Sequence, residues 1–184
     1  MHLRPFTTTF AHTLLKKAIA MPRTFIAIRF CKTTLQALVA LQNALRTAGV
    51  EGNYCPVGNL HLTLAFIGER CDLPKLRQAV SEVTVEPFTT TLDHLGAFPT
   101  KAGVLWCGVS PKADVTALAN HLRERLAANG VAYSATPFHP HISLVQRPTR
   151  IVTTIPVPQV AFRVERICVM KAERIDGQLI YSEI

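Results

Sequence analysis

The sequence predicts a two-lobed α+β protein with a crude internal duplication. Three observations lead there. Segments with the two-residue period of half-buried strands alternate with segments of helical period along the whole chain. Two short phrases, Asn59-Leu60-His61-Leu62-Thr63-Leu64 and Pro140-His141-Ile142-Ser143-Leu144, repeat one pattern, a histidine followed two places later by a hydroxyl, and each follows a helical segment. The 184 residues are enough for one substantial core or two small lobes sharing one.

The elements follow in order. Residues 1–20 are basic and free of acids, a composition shared by organelle-targeting leaders. They are set apart here as an N-terminal extension, with the simpler explanation that translation starts at Met21. Residues 21–184 are assigned to a single bilobal domain. Arg23 to Phe30 is a first core strand, rich in Ile and Phe. Thr33 or Thr34 can cap a helix that carries Leu35, Leu38, Leu41, Leu45 and Ala48 on one face, and Gly49 stops it. The first histidine phrase is a strand over about 61–67. A short helix near 73–82 opens on Leu73-Pro74, where proline suits the first turn.

Two strands, Thr89 to Phe98 and Val104 to Val109, are joined by Pro99-Thr100-Lys101-Ala102-Gly103. Ser110-Pro111 opens a long helix with Val115, Leu118, Ala119, Leu122 and Leu126 inward, closed by Asn129-Gly130. The second histidine phrase is a strand over about 139–146. The Pro-rich stretch 148–158 is a loop, and strands near 159–171 and 178–183 finish the chain.

Composition narrows the class. Charged residues make up 17% and apolar residues 48%, so the chain is a folded protein rather than a disordered tail. No apolar run approaches the roughly 18 residues that cross a bilayer, so no membrane partner is expected. Five scattered cysteines without a C-x-x-C suggest neither a disulfide framework nor a zinc cage, and point to a reducing cytoplasm. Residues 1–50 contain seven basic side chains and no acid, whereas the remaining 134 residues carry 13 basic and 12 acidic ones. Such a bias favours polyanions, or marks a generally basic surface.

The two phrases carry the chemistry. On a strand, residues i and i+2 share a face, which sets His61 beside Thr63 and His141 beside Ser143. Imidazole exchanges protons near neutral pH. Two histidines facing one another can divide the work, one taking a proton from a nucleophile while the other protonates a leaving oxygen. Thr63 and Ser143 would donate hydrogen bonds to phosphate oxygens as their charge redistributes. Phosphodiester cleavage suits this set, without metal or other cofactor.

A metal site from His61, His139 and His141 lacks any Asp, Glu or Cys at ligand spacing. His139 is placed at the rim. Ser143 as a nucleophile lacks a G-x-S-x-G elbow, and neither a P-loop nor a G-x-G-x-x-G fingerprint occurs.

With these residues in view, the chain resembles the 2H phosphoesterase superfamily, whose members carry paired H-x-[ST]-x motifs. Within it the chain is most similar to the RNA 2′,3′-cyclic phosphodiesterases, or 2′-5′ RNA ligase-like proteins, from about Arg23 onward. The matching stretches are Thr24 to Ile28, Asn59 to Glu69, Val104-Leu105-Trp106 and Pro137 to Leu144. The resemblance implies the bilobal LigT-like fold, in which two pseudo-symmetric lobes with antiparallel sheets flanked by helices surround a central cleft. It implies His61 and His141 as catalytic residues and Thr63 and Ser143 as phosphate-binding ones. The implied reaction opens a 2′,3′-cyclic phosphate end of RNA to a 2′-phosphate without metal, with reverse 2′-5′ ligation as an allied activity. The protein is expected to act as a monomer. Alternatives are the same fold acting on a small cyclic or 2′-5′ linked nucleotide, and a non-catalytic RNA-binding protein.

Departures from the family pattern concern substrate binding. The Arg usual after the second motif is Gln146 here, with Arg147 one place later, where only a bulge would re-aim it toward substrate. Gly103 and Arg29 also replace the family's usual Arg and acid. Phe25 is offered as a stacking partner for the terminal base or as a core residue.

Overall fold

The computed structural model describes residues 23–69, 71–98 and 103–184. The expected extension over residues 1–20 and most of the 99–103 connection lie outside them. Among the described residues, nine strands form one continuous antiparallel sheet, with three helices packed against it. In chain order the elements are β1 (Arg23–Ile28), α1 (Lys32–Thr47), β2 (Asn53–Tyr54), a 3₁₀ turn (Val57–Asn59), β3 (Leu62–Gly68), α2 (Leu73–Ser81) and β4 (Phe88–Phe98). Then follow β5 (Val104–Ser110), α3 (Ala113–Ala128), β6 (Ile142–Gln146), β7 (Ala161–Val164), β8 (Cys168–Ile175) and β9 (Gln178–Glu183).

The helices form where apolar residues recur at helical spacing. Leu38, Leu41 and Leu45 of α1 are fully buried, each contributing about 2 kcal/mol by removal from water. Gly49 adopts φ 75° just past its end and Gly130 adopts φ 67° past α3, the left-handed conformation that ends a helix without steric cost. The expected threonine cap of α1 is not made. Cys31 is the N-cap, and Thr34 is buried with its hydroxyl 3.3 Å from the Cys31 thiol. Asp72 caps α2 by accepting from the Lys75 N–H.

The strand order is β7-β4-β5-β6-β3-β1-β8-β9, with β2 paired to β6. The two strands that follow the histidines, β3 and β6, sit side by side at the centre. Each begins a half: β3-β1-β8-β9 on one side and β6-β5-β4-β7 on the other. The halves are not contiguous in sequence, because β8 and β9 return to complete the β3 half. β6 starts three residues later than the alternation predicts, because Pro137 and Pro140 offer no N–H to a ladder. The last long strand divides into β7 and β8. Among the described residues no helix is long and apolar enough to cross a membrane.

β3 and β6 touch through one register pair, Leu62 opposite Ile142, both fully buried in the core. Their neighbours at 61, 63, 141 and 143 therefore point to the opposite, cleft face. That register aligns His61 with Ser143 and Thr63 with His141.

Candidate active site

The sheet's central seam opens into a cleft of about 430 Å³ lined by His61, Thr63, His141 and Ser143 among others. The structure thus brings together all four residues expected from the two phrases. Both histidines are held alike. Nδ1 of His61 lies 2.7 Å from the Asn59 carbonyl oxygen, and Nδ1 of His141 lies 2.7 Å from the His139 carbonyl oxygen. A carbonyl only accepts, so Nδ1 carries the proton in each ring and Nε2 is the working nitrogen. His61 Nε2 is 2.8 Å from the Thr63 hydroxyl, which donates to it when the ring is neutral.

Aromatic rings brace each imidazole. His61 packs against Phe25 and Tyr181, with centroids 4.8 and 5.4 Å away. His141 packs edge-on against Phe98 and Trp106, at 4.8 and 6.2 Å. Asn59 secures the first arrangement: its amide donates to the Leu179 carbonyl and its side-chain oxygen accepts from the Tyr181 N–H. The β9 strand that carries Tyr181 is thereby fastened to the turn that positions His61. Burial keeps both imidazoles neutral. It pushes His61 down to about 4, helped by the charges of Arg29 and His141 against the pull of the Asn59 carbonyl. His141 is also lowered, chiefly by burial.

The same irregularity follows each hydroxyl. Along β3 the pairing with β1 skips Leu64, and along β6 the pairing with β5 skips Leu144. Each is a bulge that inserts one residue and reverses which side chains face the cleft. After Thr63 the lining continues through buried Leu64 and Ala65 to the exposed Phe66, and after Ser143 the next lining residue is Gln146. The Leu144 carbonyl, facing β2 rather than β5, accepts from the Cys55 N–H just past β2 and from Gln42 Nε2.

These bulges bear on the two candidate substrate contacts. Arg147 is not re-aimed toward substrate: the bulge aims Gln146, while Arg147 takes a left-handed backbone (φ 52°), is exposed, and does not line the cleft. Phe25 offers no open face to a base, being 1% exposed beneath His61 and Phe66. Phe66, opposite Phe25 in the register and 46% exposed, presents the ring instead.

Arg123 enters the lining from α3 and carries no motif signal. Trp106, of the matching stretch Val104-Leu105-Trp106, is buried, lies opposite Ser143 and packs its ring edge-on against His139. His139, placed at the rim from sequence, lines the cleft and orients His141 through its carbonyl. Among the described residues no three His, Cys, Asp or Glu side chains converge as a metal site would require.

The model of one family, the 2′-5′ RNA ligase superfamily, matches residues 43–176, most of the chain and both histidine motifs. The chain belongs to the 2′-5′ RNA ligase superfamily. Solved members share its architecture. The crystal structure of Escherichia coli LigT in apo form superposes with a TM-score of 0.76 at 29% identity, covering 89% of this chain and 95% of that one. The LigT-like fold of the superfamily is therefore the fold of this chain. In sequence, the chain is 41% identical over 103 residues to the RNA 2′,3′-cyclic phosphodiesterase of Escherichia coli, 54% of this chain and 57% of that protein. It is 40% identical over 76 residues to the protein of the same name from Archaeoglobus fulgidus, 39% of this chain and 43% of that one. The aligned stretches thus span about half the length of these curated superfamily relatives.

Proposed function

We propose that this chain is a phosphoric diester hydrolase that opens 2′,3′-cyclic phosphate ends of RNA to 2′-phosphates, using two histidines and no metal. The observation that carries the proposal is the matched pair of Nδ1-tethered imidazoles, each beside a hydroxyl, on either side of one strand seam. Binding alone would not need two titratable groups braced in the same tautomer. The names of the relatives point to the same reaction.

In this scheme His141 Nε2 takes a proton from water as its oxygen attacks phosphorus. His61 Nε2–H gives a proton to the departing 3′ oxygen as the P–O3′ bond breaks. Thr63 and Ser143 donate to the non-bridging oxygens. The products are a 3′ hydroxyl and a 2′-phosphate; a 5′ hydroxyl attacking in place of water, with the same P–O3′ bond breaking, gives a 2′-5′ linkage.

The acid needs its proton from the bound state. With burial holding His61 at about 4 in the empty cleft, protonation at neutral pH costs about 4 kcal/mol. The substrate's own phosphate anion offsets that: a unit charge ~4 Å away at an effective dielectric of ~20 contributes about 4 kcal/mol. Phe66 provides an exposed ring on which the terminal base can stack. One chain supplies the whole set, so a monomer suffices. The five cysteines are all free thiols, which fits the reducing cytoplasm as its compartment.

Replacing either histidine tests the scheme. His61→Ala and His141→Ala should each lower kcat by about 10²–10⁴ in a cyclic-end opening assay. A variant that turns over at near wild-type rate removes that residue from the mechanism.

A further inference from the structure

Gln146 leaves the cleft without the cation expected beside the second motif, yet the substrate proposed above is a polyanion. Among the described residues, the Arg or Lys that lines the cleft is Arg123. Its surroundings are unusual for an arginine. The guanidinium lies over two ring faces, 5.4 Å from the centroid of Phe138 and 5.8 Å from that of Tyr133. Its one hydrogen bond is from Nη1 to the Thr136 carbonyl, at a long 3.3 Å. Its Nε is buried and finds no acceptor, and no ion pair to an acid forms among the described residues. Arg23, Arg163 and Arg166, by contrast, pair with Glu69, Glu165 and Glu183. Arg123 is held in place by rings while keeping donor capacity, the arrangement of a group waiting for an anion.

Its location decides which anion. Among the described residues, its hydrogen bond and its ring contacts run to the 133–138 segment, and neither kind reaches either histidine or either hydroxyl. The Ser134 N–H of that segment donates to the Phe66 carbonyl, so Arg123 and the exposed Phe66 ring belong to the same end of the cleft. The reacting phosphate already has its donors in Thr63 and Ser143. Resting on the function proposed above, we infer that Arg123 binds the phosphodiester immediately 5′ of the cyclic end, so that the preferred substrate is an oligonucleotide rather than a mononucleotide.

The test compares Arg123→Gln and Arg123→Lys with wild type on two substrates, a short RNA with a cyclic end and a nucleoside 2′,3′-cyclic phosphate. For Arg123→Gln, kcat/KM on the oligomer should fall about 10- to 100-fold, mostly through KM. That loss should exceed the loss on the mononucleotide at least tenfold, and Arg123→Lys should recover part of it. Equal losses on both substrates, or no loss on the oligomer with the fold intact, would overturn the assignment. Binding of a pentanucleotide ending in a 2′-phosphate is measured alongside at several salt concentrations. Arg123→Gln should flatten the log–log salt slope by about 0.7, as loss of one phosphate contact on a single strand requires. An unchanged slope also overturns it. This second readout needs no turnover, so an inactive wild type would sink the proposed reaction without deciding the Arg123 contact.

Discussion

At the scale of single residues, the same environment that fixes each imidazole also discharges it. Burial lowers both histidines, His61 to about 4. In the free enzyme the acid form of His61 is therefore lost as pH rises through about 4, and kcat/KM, which reports the free enzyme, should be lower at neutral and alkaline pH than in the acid range. In the complex the phosphate anion raises the acid's pKa, so the kcat profile should lie toward higher pH. Rates measured from pH 4 to 9 at low and at saturating substrate check this. Two superimposable profiles would mean that the substrate's charge does not tune His61. The histidines and hydroxyls were legible in the sequence because a period of two is a purely local rule. Phe66 and Arg123 were not: one depends on a bulge and the other on how a distant helix packs.

At the scale of elements, the two bulges do most to shape the cleft. The family resemblance offered Phe25 and Arg147 as candidate contacts, Arg147 only if a bulge re-aimed it. The insertions at Leu64 and Leu144 hand the cleft positions to Phe66 and Gln146 instead. A bulge disrupts the ladder locally, and bonds beside it help to hold the strand. Buried Gln42 of α1 supplies two at the β2–β6 edge, donating at 3.0 Å to the Leu144 carbonyl and at 2.9 Å to the Cys55 carbonyl, a long-range pairing with no sequence signature. Gln42→Leu should therefore lower stability by about 1–3 kcal/mol in urea unfolding. It should also reduce turnover, since Ser143 directly precedes the bulge. Unaltered stability would show that the Cys55 N–H alone suffices. Helix ends were more legible than strand ends: the glycine stops of α1 and α3 follow from backbone sterics, whereas the late start of β6 reflects two prolines acting on a ladder.

At the scale of the whole molecule, the duplicated phrases correctly announced two halves but not their composition. β8 and β9 cross back to flank β1, and through Asn59 and Tyr181 they brace a histidine more than 100 positions earlier. Local periodicity carries no information on such a return. The design links stability to pH. A histidine whose folded pKa is depressed from 6.5 to about 4 stabilises the fold fully above pH 6.5, and that contribution is lost as pH falls toward 4. Up to about 3 kcal/mol is at stake. Denaturation of wild type and His61→Asn between pH 7 and 4 should show a steeper decline for wild type, and parallel curves would argue against a buried neutral His61.

The most direct measurement incubates the purified protein with a short RNA ending in a 2′,3′-cyclic phosphate, with EDTA present, and identifies the end group formed. Conversion to a 2′-phosphate is the predicted result. No conversion by folded protein, or conversion only when a divalent metal is restored, would contradict a two-histidine, metal-free hydrolase.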